Sequence, residues 1–380
     1  MPSLFKLQSI NFSVKSHKYI SKRPSRHDKL KVFLSLSITG AICVNGLYTI
    51  ASRDVGALET NFCYMFVISL FLIVVSIFPT ILDPDPFVAM LNGVRQFRDK
   101  KTNFTLVPNN LRKNWDLLHK ISMILSIVYD IGAPMALIGL TLLEPSLPPF
   151  LGSIIQSSDI KMGVMTRFGR FLIISVQSLS FISLAVSFSF QFVITFFVSL
   201  HCVAEGVAFM KRLCSEPIMD MDRMTSMLQV YHHLQILVGQ TNTCFRKVVL
   251  PSFLLLFVWI NILATTINVS LGPKLLDHLG NCIFPFSSAL TTVSILLLGT
   301  FAGLVNKWST QCGTKFAKQW PLLIHIDGKV TRQRRDWMSR KVKSCSPMKI
   351  KFGNNFMEIT TPLVLQALCT KSTIRLILLH

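Results

Sequence analysis

Charge is what this chain has least of. Only 15% of its 380 residues are Asp, Glu, Lys or Arg, where a soluble domain carries roughly 25%. Acids are the scarcest, with 18 Asp+Glu against 39 Lys+Arg. No Walker loop, GxGxxG, HExxH or GxSxG pattern occurs, so no signature of phosphate-cradling, nucleotide, metalloprotease or acyl-transfer chemistry is present, and the reading is not an enzyme and calls for no cofactor. The nine cysteines form no CxxC pair and no His/Cys cluster with zinc spacing, so no metal centre is expected. His232-His233 stands apart from any carboxylate or thiol cluster and reads as solvated.

What the chain has instead is long apolar runs. Apolar residues make up 51% and the mean hydropathy is +0.50. Six runs, at 32–52, 62–82, 121–143, 171–204, 248–270 and 282–305, reach the ~20 residues a helix needs to cross a hydrocarbon core. In such a core only helices satisfy their own backbone, so the expected class is an all-α membrane protein. The fourth run is too long for one span and is expected to tilt or to project beyond the membrane. A seventh span is expected at 355–379, although Glu358, Pro362, Gln366, Lys371 and Arg375 weaken it.

The formal charge of +21 suits nucleic acid or an anionic membrane face, and its distribution favours the membrane, so no nucleic acid is expected as a partner. Segments 1–31, 83–120, 205–247 and 306–354 hold 32 of the Lys and Arg residues, while 53–61, 144–170 and 271–281 hold 5. Basic loops stay inside. The expected arrangement is a cytoplasmic basic tail (1–31), a six-helix region (32–305) with cytoplasmic loops 83–120 and 205–247, a cytoplasmic basic loop (306–354) and a seventh, pore-lining helix (355–380). The N-terminus is then cytoplasmic and the C-terminus extracellular, in a multi-pass protein of the plasma membrane in contact with lipid. Segment 205–247 carries Met221, Met224, Leu228, Tyr231, Leu234 and Val238 at helical spacing. It is expected to form a packed cytoplasmic base with 306–354. The alternative for these segments is basic loops lying on anionic lipid.

Polar groups inside spans usually face the bundle interior. Tyr64, Asp130, Gln177, Trp259, Asn261 and Thr265 form the candidate ligand-binding set, an aromatic pocket with a few polar groups. Interhelical hydrogen bonds and interfacial aromatic anchors account for the same residues equally directly. In the last segment Gln366, Thr370, Thr373 and Ile377 share one face. Turned to a common axis in an oligomer, that face would line a pore; the alternative is a terminal helix whose Lys371 and Arg375 snorkel to headgroups. Gly299 and Gly303 form a GxxxG pair that permits close helix approach.

Seven spans, an inside N-terminus, basic inner loops, a long fourth span and an ordered third inner segment together resemble the insect-type chemoreceptor superfamily, the arthropod gustatory and odorant receptors. Pro347, Phe352-Gly353 and Phe356 ahead of the last helix are similar to that family's approach to its final span. Tyr231 to Phe245, leading into Val248-Val249-Leu250-Pro251, looks like its approach to the fifth. The last helix departs: gustatory members carry Thr-Tyr, five apolar residues and Gln-Phe, whereas Thr373-Ile374 through Leu379-His380 lacks the Tyr, Gln and Phe. Thr370-Lys371-Ser372 stands where odorant types have Ser-Tyr-Ser. The resemblance implies a ligand-gated, nonselective cation channel, opened by a small tastant or odorant. It implies a homo- or heterotetramer of related subunits joined through the cytoplasmic ends of helices four to seven. The rival readings are a G-protein-coupled receptor, whose topology is inverted and whose Asp-Arg-Tyr and Asn-Pro-x-x-Tyr motifs are missing here, and a small-molecule transporter.

Overall fold

The computed structural model describes residues 10–13, 18–21, 25–52, 56–102, 149–151, 164–216, 220–272, 279–326 and 331–379, with scattered positions between 120 and 142. The chain begins with a hairpin, β1 (Ile10–Ser13) against β2 (Lys18–Ser21). It continues through α1 (Arg26–Ser52), α2 (Ala57–Leu82) and α3 (Asp85–Thr102). A long helical run follows: α4 (Val164–Val193), a π-helical segment (Ile194–His201) and α5 (Cys202–Leu213). Then come α6 (Met221–Phe245), α7 (Val249–Leu271), α8 (Ile283–Ile326) and α9 (Arg332–Lys343). A small hairpin, β3 (Lys351–Phe352) with β4 (Asn355–Phe356), leads into α10 (Thr361–Leu379).

Local chemistry sets the boundaries. Ser25 and Asp28 cap α1 reciprocally: the Ser25 amide donates to Asp28 Oδ2 (2.9 Å) and the Asp28 amide to Ser25 Oγ (3.2 Å). The Asp83-Pro84 break separates α2 from α3. Asp220 caps α6, and Thr331 accepts from the Arg334 amide to start α9. Gly353 takes φ 55° between β3 and β4, a conformation that favours glycine.

Among the described residues, five helical stretches are long and apolar enough to cross a membrane: 26–51, 59–82, 171–213, 249–271 and 283–325. They correspond to the first, second, fourth, fifth and sixth expected spans, and the chain is a multi-pass membrane protein. The third expected span, 121–143, lies largely outside the described residues; within it Val128–Gly132 forms a π-helical turn. α10 is too polar to count with the five, yet it packs against α7 and α8 in the same bundle. α7 occupies the middle, in contact with α2, α8 and α10.

Three expectations need correction. Segment 83–120 is not all loop, because residues 85–102 are α3 and pack against α6. Segment 306–354 is not a loop: α8 continues unbroken to Ile326, and α9 follows. At 1.5 Å per residue a 44-residue helix is about 66 Å long, twice a hydrocarbon core, so half of α8 stands outside it. The basic tail is partly folded, and the class is all-α only apart from two short hairpins. Tyr19 of β2 exchanges backbone bonds with the Asn92 amide of α3 (2.9 and 3.0 Å), which docks the first hairpin.

Outside the membrane the base is well packed. The six spaced residues of α6, Met221 to Val238, are all buried. The Tyr231 hydroxyl lies between the carbonyl oxygens of Ser309 (3.2 Å) and Ser346 (3.0 Å), and its ring meets Phe316 edge-on. Gln235 and Asn242 reach the backbone of 344–351. This segment, a plain coil in composition, is therefore strapped along α6 and delivers the chain to α10.

The glycine pair on α8 sets how closely α10 arrives. A Cβ on Gly299 would stand 2.7 Å from the Pro362 ring, and one on Gly303 would stand 2.6 Å from the Ile359 backbone. Backbone cannot yield as a side-chain tip can, so Gly303→Val is expected to cost about 1–3 kcal/mol by overpacking. Gly40→Ala, in open space on α1, should be neutral or stabilising. Thermal unfolding of the purified variants in detergent checks both, and an unshifted midpoint for Gly303→Val would show that the contact is not tight.

Candidate functional site

An amide buried among helices must bond to a neighbouring helix, since water is not there to serve it. Asn261, 4% exposed on α7, does this with one amide group. Its Nδ2 faces the Ser288 carbonyl (3.0 Å), Thr292 Oγ1 (2.8 Å) and Thr291 Oγ1 (3.3 Å), all on α8. One turn on, Thr265 and Ser288 share a hydroxyl bond of 2.7 Å. Thr292 Oγ1 also accepts from Gln366 Nε2 of α10 (3.3 Å). A single threonine hydroxyl thus ties α7, α8 and α10 together. Thr373, a further two turns along α10, is buried and donates to the Ile262 carbonyl of α7 (3.5 Å).

The other sequence candidates lie elsewhere. Gln177 on α4 is 1% exposed, and its Oε1 accepts from the Leu151 amide (3.0 Å). Asn45 of α1 donates to the carbonyls of Pro149 (2.9 Å) and Phe150 (3.1 Å). The two amides pin segment 149–151 from opposite sides. Tyr64 is exposed on α2, and its carbonyl accepts from the half-buried Trp259 indole (3.4 Å). Asp130 lies in the Val128–Gly132 turn, and its side chain is outside the described residues. The six ligand candidates are therefore dispersed, with only Asn261 and Thr265 joined in one network and Tyr64 touching Trp259.

Beside that network is a cavity of about 180 Å³. Its wall comes from α2 (Met65, Phe66, Ser69, Leu70, Ile73), α4 (Phe181, Leu184, Ala185, Phe188), α7 (Leu256, Phe257, Ile260) and α8 (Ile283, Phe286, Ser287, Leu290, Thr291), with Gly132 from the π-helical turn. None of the five sequence candidates whose side chains are described is on this wall. The lining is apolar and aromatic with three hydroxyl residues, the usual composition of a small-ligand pocket. Ser69 Oγ is buried with no hydrogen-bond partner in the protein, so it is free to bond to an occupant. Phe150 packs edge-on against Phe66 (5.3 Å between ring centres) and Phe181 (6.1 Å). The pinned 149–151 segment thereby buttresses two cavity residues, and Gln177 acts on the cavity through that clamp.

Thr291 connects the two features. It lines the cavity, it is bonded by Asn261, and it adjoins Thr292, which holds Gln366. The sequence signal for the wall was the spacing Phe181, Leu184, Ala185, Phe188 on one face of the over-long fourth run.

No protein-family model matches the chain, and no curated protein sequence does. Its fold does match solved structures. The insect olfactory receptor OR5 from Machilis hrabei superposes with a TM-score of 0.62, over 97% of this chain and 92% of that one, at 10% identity. The same receptor in complex with eugenol gives a TM-score of 0.58 over 94% and 91%, also at 10% identity. The resemblance drawn from the sequence is met at the level of fold: this chain has the architecture of an insect olfactory receptor.

The cavity alone generates a prediction. A void of comparable volume lined by apolar side chains accepts a small aromatic guest. The purified protein should bind a compact fluorescent aromatic probe saturably, and Ala185→Phe should fill the space and weaken binding by about tenfold or more. Equal probe affinity in the variant and the parent would show that the guest sits elsewhere.

Proposed function

We propose that this chain is a chemosensory receptor of the insect chemoreceptor superfamily, and that it is a ligand-gated, nonselective cation channel in the plasma membrane. The distribution of Lys and Arg, over an architecture shared with an olfactory receptor, supports seven spans with a cytoplasmic N-terminus and an extracellular C-terminus. Four copies, or copies mixed with related subunits, would surround the pore.

The observation that carries the reading is the short path from cavity wall to last helix: Thr291 on the wall, Asn261 and Thr292 beside it, and Gln366 on α10. The neighbouring receptor was solved with eugenol; the cavity here suits a ligand of similar kind, compact and apolar with one hydroxyl or carbonyl for Ser69. An occupant that displaces the Thr291 turn of α8 moves Thr292 with it, because consecutive helical residues shift together. The Gln366 bond then transmits that shift to α10. A ligand biases the open state only through such differential contacts.

The pore face is also constrained. A pore on an axis between subunits lies outside any one chain, so its lining is exposed in the single chain. Of the four pore candidates, Thr370 is exposed, Gln366 and Ile377 are half-buried and Thr373 is buried. Gln366 and Thr373 are turned to α8 and α7. The exposed stripe through Thr370 is Leu363, Ala367, Thr370 and Ile374, and beside it runs a second stripe of Val364, Leu368, Lys371 and Arg375. A ring of Lys371 and Arg375 would repel cations, so the first stripe is assigned to the pore, with Leu363 and Ile374 as apolar constrictions. Lys371 and Arg375 then snorkel toward headgroups.

Expression in oocytes, with surface delivery confirmed and a panel of sugars, bitter compounds and volatiles, should give ligand-evoked cation current. Thr292→Val keeps the side-chain volume and removes the shared hydroxyl. It should reduce the evoked current by about fivefold or more while leaving probe affinity for the cavity within about twofold, the mark of lost coupling energy of 1–3 kcal/mol. Current absent across the panel would sink the channel reading. An N-terminal tag labelled from outside intact cells would instead fit a G-protein-coupled receptor.

A further inference from the structure

A second cavity, of about 740 Å³, opens between α5 and α8, away from the ligand cavity. α5 supplies Lys211 and Arg212 to its wall, and α8 supplies Lys315 and Lys318. Four basic side chains thus converge from two packed helices, and no carboxylate lines the groove among the described residues. Trp308 and Thr314 fill positions between them.

Two of the lysines are held in place. Lys211 Nζ lies over the Trp308 ring, 5.2 Å from its centre. Lys315 Nζ donates to the Cys214 carbonyl (3.2 Å) at the end of α5. An ammonium has three donors, so each keeps hydrogen-bonding capacity directed to the groove. A multivalent anion is attracted by several cations of one groove at once, and Arg212 additionally feels Glu205 of its own helix. The hydroxyls of Ser215, Thr310 and Thr314 on the same wall donate back to the carbonyls of Arg212, Asn306 and Thr310, so the basic side chains supply the groove's donors to an anion. The space is far larger than a single inorganic ion requires and suits a polyhydroxylated ring bearing several phosphates.

The level of the groove bears on its occupant. Lys307 and Trp308 follow the apolar stretch of α8, and Lys211 and Arg212 follow that of the fourth run. Tryptophan with lysine at the end of a span is an interfacial signature. Basic pockets between helix ends on the cytosolic side are places where phosphorylated lipid headgroups bind. From this convergence we infer that the α5–α8 groove is a binding site for a multiply phosphorylated, inositol-like headgroup. A membrane lipid and a soluble polyphosphate present the same chemistry to it. The lipid as source rests on the cytosolic placement of these helix ends proposed above, whereas recognition of clustered phosphates does not.

The test uses the full-length protein in phosphatidylcholine nanodiscs, titrated by calorimetry with a water-soluble, short-chain phosphatidylinositol bisphosphate and separately with inositol hexakisphosphate. Saturable binding of the first is expected. With each lysine near the surface worth about fivefold in affinity, Lys211→Gln/Lys315→Gln/Lys318→Gln together should weaken it about a hundredfold. The Lys→Arg triple variant preserves charge and should retain binding, which separates loss of the site from loss of fold. Arg332→Gln/Arg335→Gln on α9, exposed and outside the groove, should leave affinity within about twofold. Tight binding of inositol hexakisphosphate that excludes the short-chain lipid would identify a soluble polyphosphate as the occupant and support the site. Absence of saturation, or equal weakening by the α9 variant, would overturn it. The nanodisc exposes both faces to the titrant, so the result is independent of topology and of channel activity.

Discussion

A hydrocarbon core offers no hydrogen bonds, and this constraint organises the molecule. It forces the spanning backbone into helices, and it drives most polar side chains within them to a partner in the protein. Serines and threonines bond back to their own helices, as Thr266 does to Ile262 and Ser294 to Leu290. The amides reach further: Asn45 and Gln177 hold segment 149–151, Gln191 accepts from Thr80 across α4 and α2, and Asn261 and Gln366 meet on α8. Such interhelical bonds contribute on the order of 0.6–2 kcal/mol each, too little to drive assembly alone. Their larger effect is on register. A Leu face slides one turn against another at small cost, whereas an Asn261 displaced by one turn would lose its three acceptors at once.

Packing between these pins depends on small residues. The Gly299 and Gly303 seam admits Pro362 and the backbone at Ile359, and Gly206 of α5 lies beneath Leu234 of α6 and Phe97 of α3. Dispersion falls steeply with distance, and helices whose outer surfaces are no more apolar than lipid gain little from burial itself. Close approach therefore supplies much of what holds the bundle together. The base built by α6, α9 and the outer half of α8 follows ordinary soluble rules by contrast. Its core is Met221, Met224, Tyr231 and Leu234 of α6 against Met338 and Phe316, and its surface is charged.

The parts of this architecture that were legible in the sequence are those with a strong one-dimensional signal. Long apolar runs marked α1, α2, α4, α7 and α8, the Asp83-Pro84 break marked the end of α2, and the methionine and tyrosine spacing marked α6. α9 and the outer half of α8 were hidden because their many Lys and Arg residues read as loop, although charged side chains are compatible with a helix that buries one narrow stripe, Met338 and Val342 on α9 or Cys312, Phe316, Trp320 and Leu323 on α8. The cavity was illegible for a different reason. Phe181, Leu184 and Phe188 are the residue types of a filled core, and whether space remains between them depends on four helices from distant parts of the chain. The candidate amides are already bonded to protein, as expected in lipid: Asn261 joins α7 to α8, and Gln177 holds segment 149–151. The free hydroxyl was Ser69, one of many serines in the apolar runs.

α8 gives these separate features a common mechanical element. Along one unbroken helix lie the cavity wall at Leu290 and Thr291, the junction at Thr292, the glycine seam at 299 and 303 and the basic groove from Trp308 to Lys318. From Thr291 to Lys315 is 24 residues, about 36 Å of rise. A helix without an internal break over that length moves largely as a rod; of its two prolines, Pro285 lies in the first turn and Pro321 beyond the groove. A small molecule at one end and a phosphate cluster at the other therefore act on the same body, and α10 is attached to that body between them. If each occupant favours one position of the rod, linkage requires that each also changes the other's affinity by the same factor. A phosphate cluster held in the groove would then change the cavity's affinity for its occupant without any contact between the two.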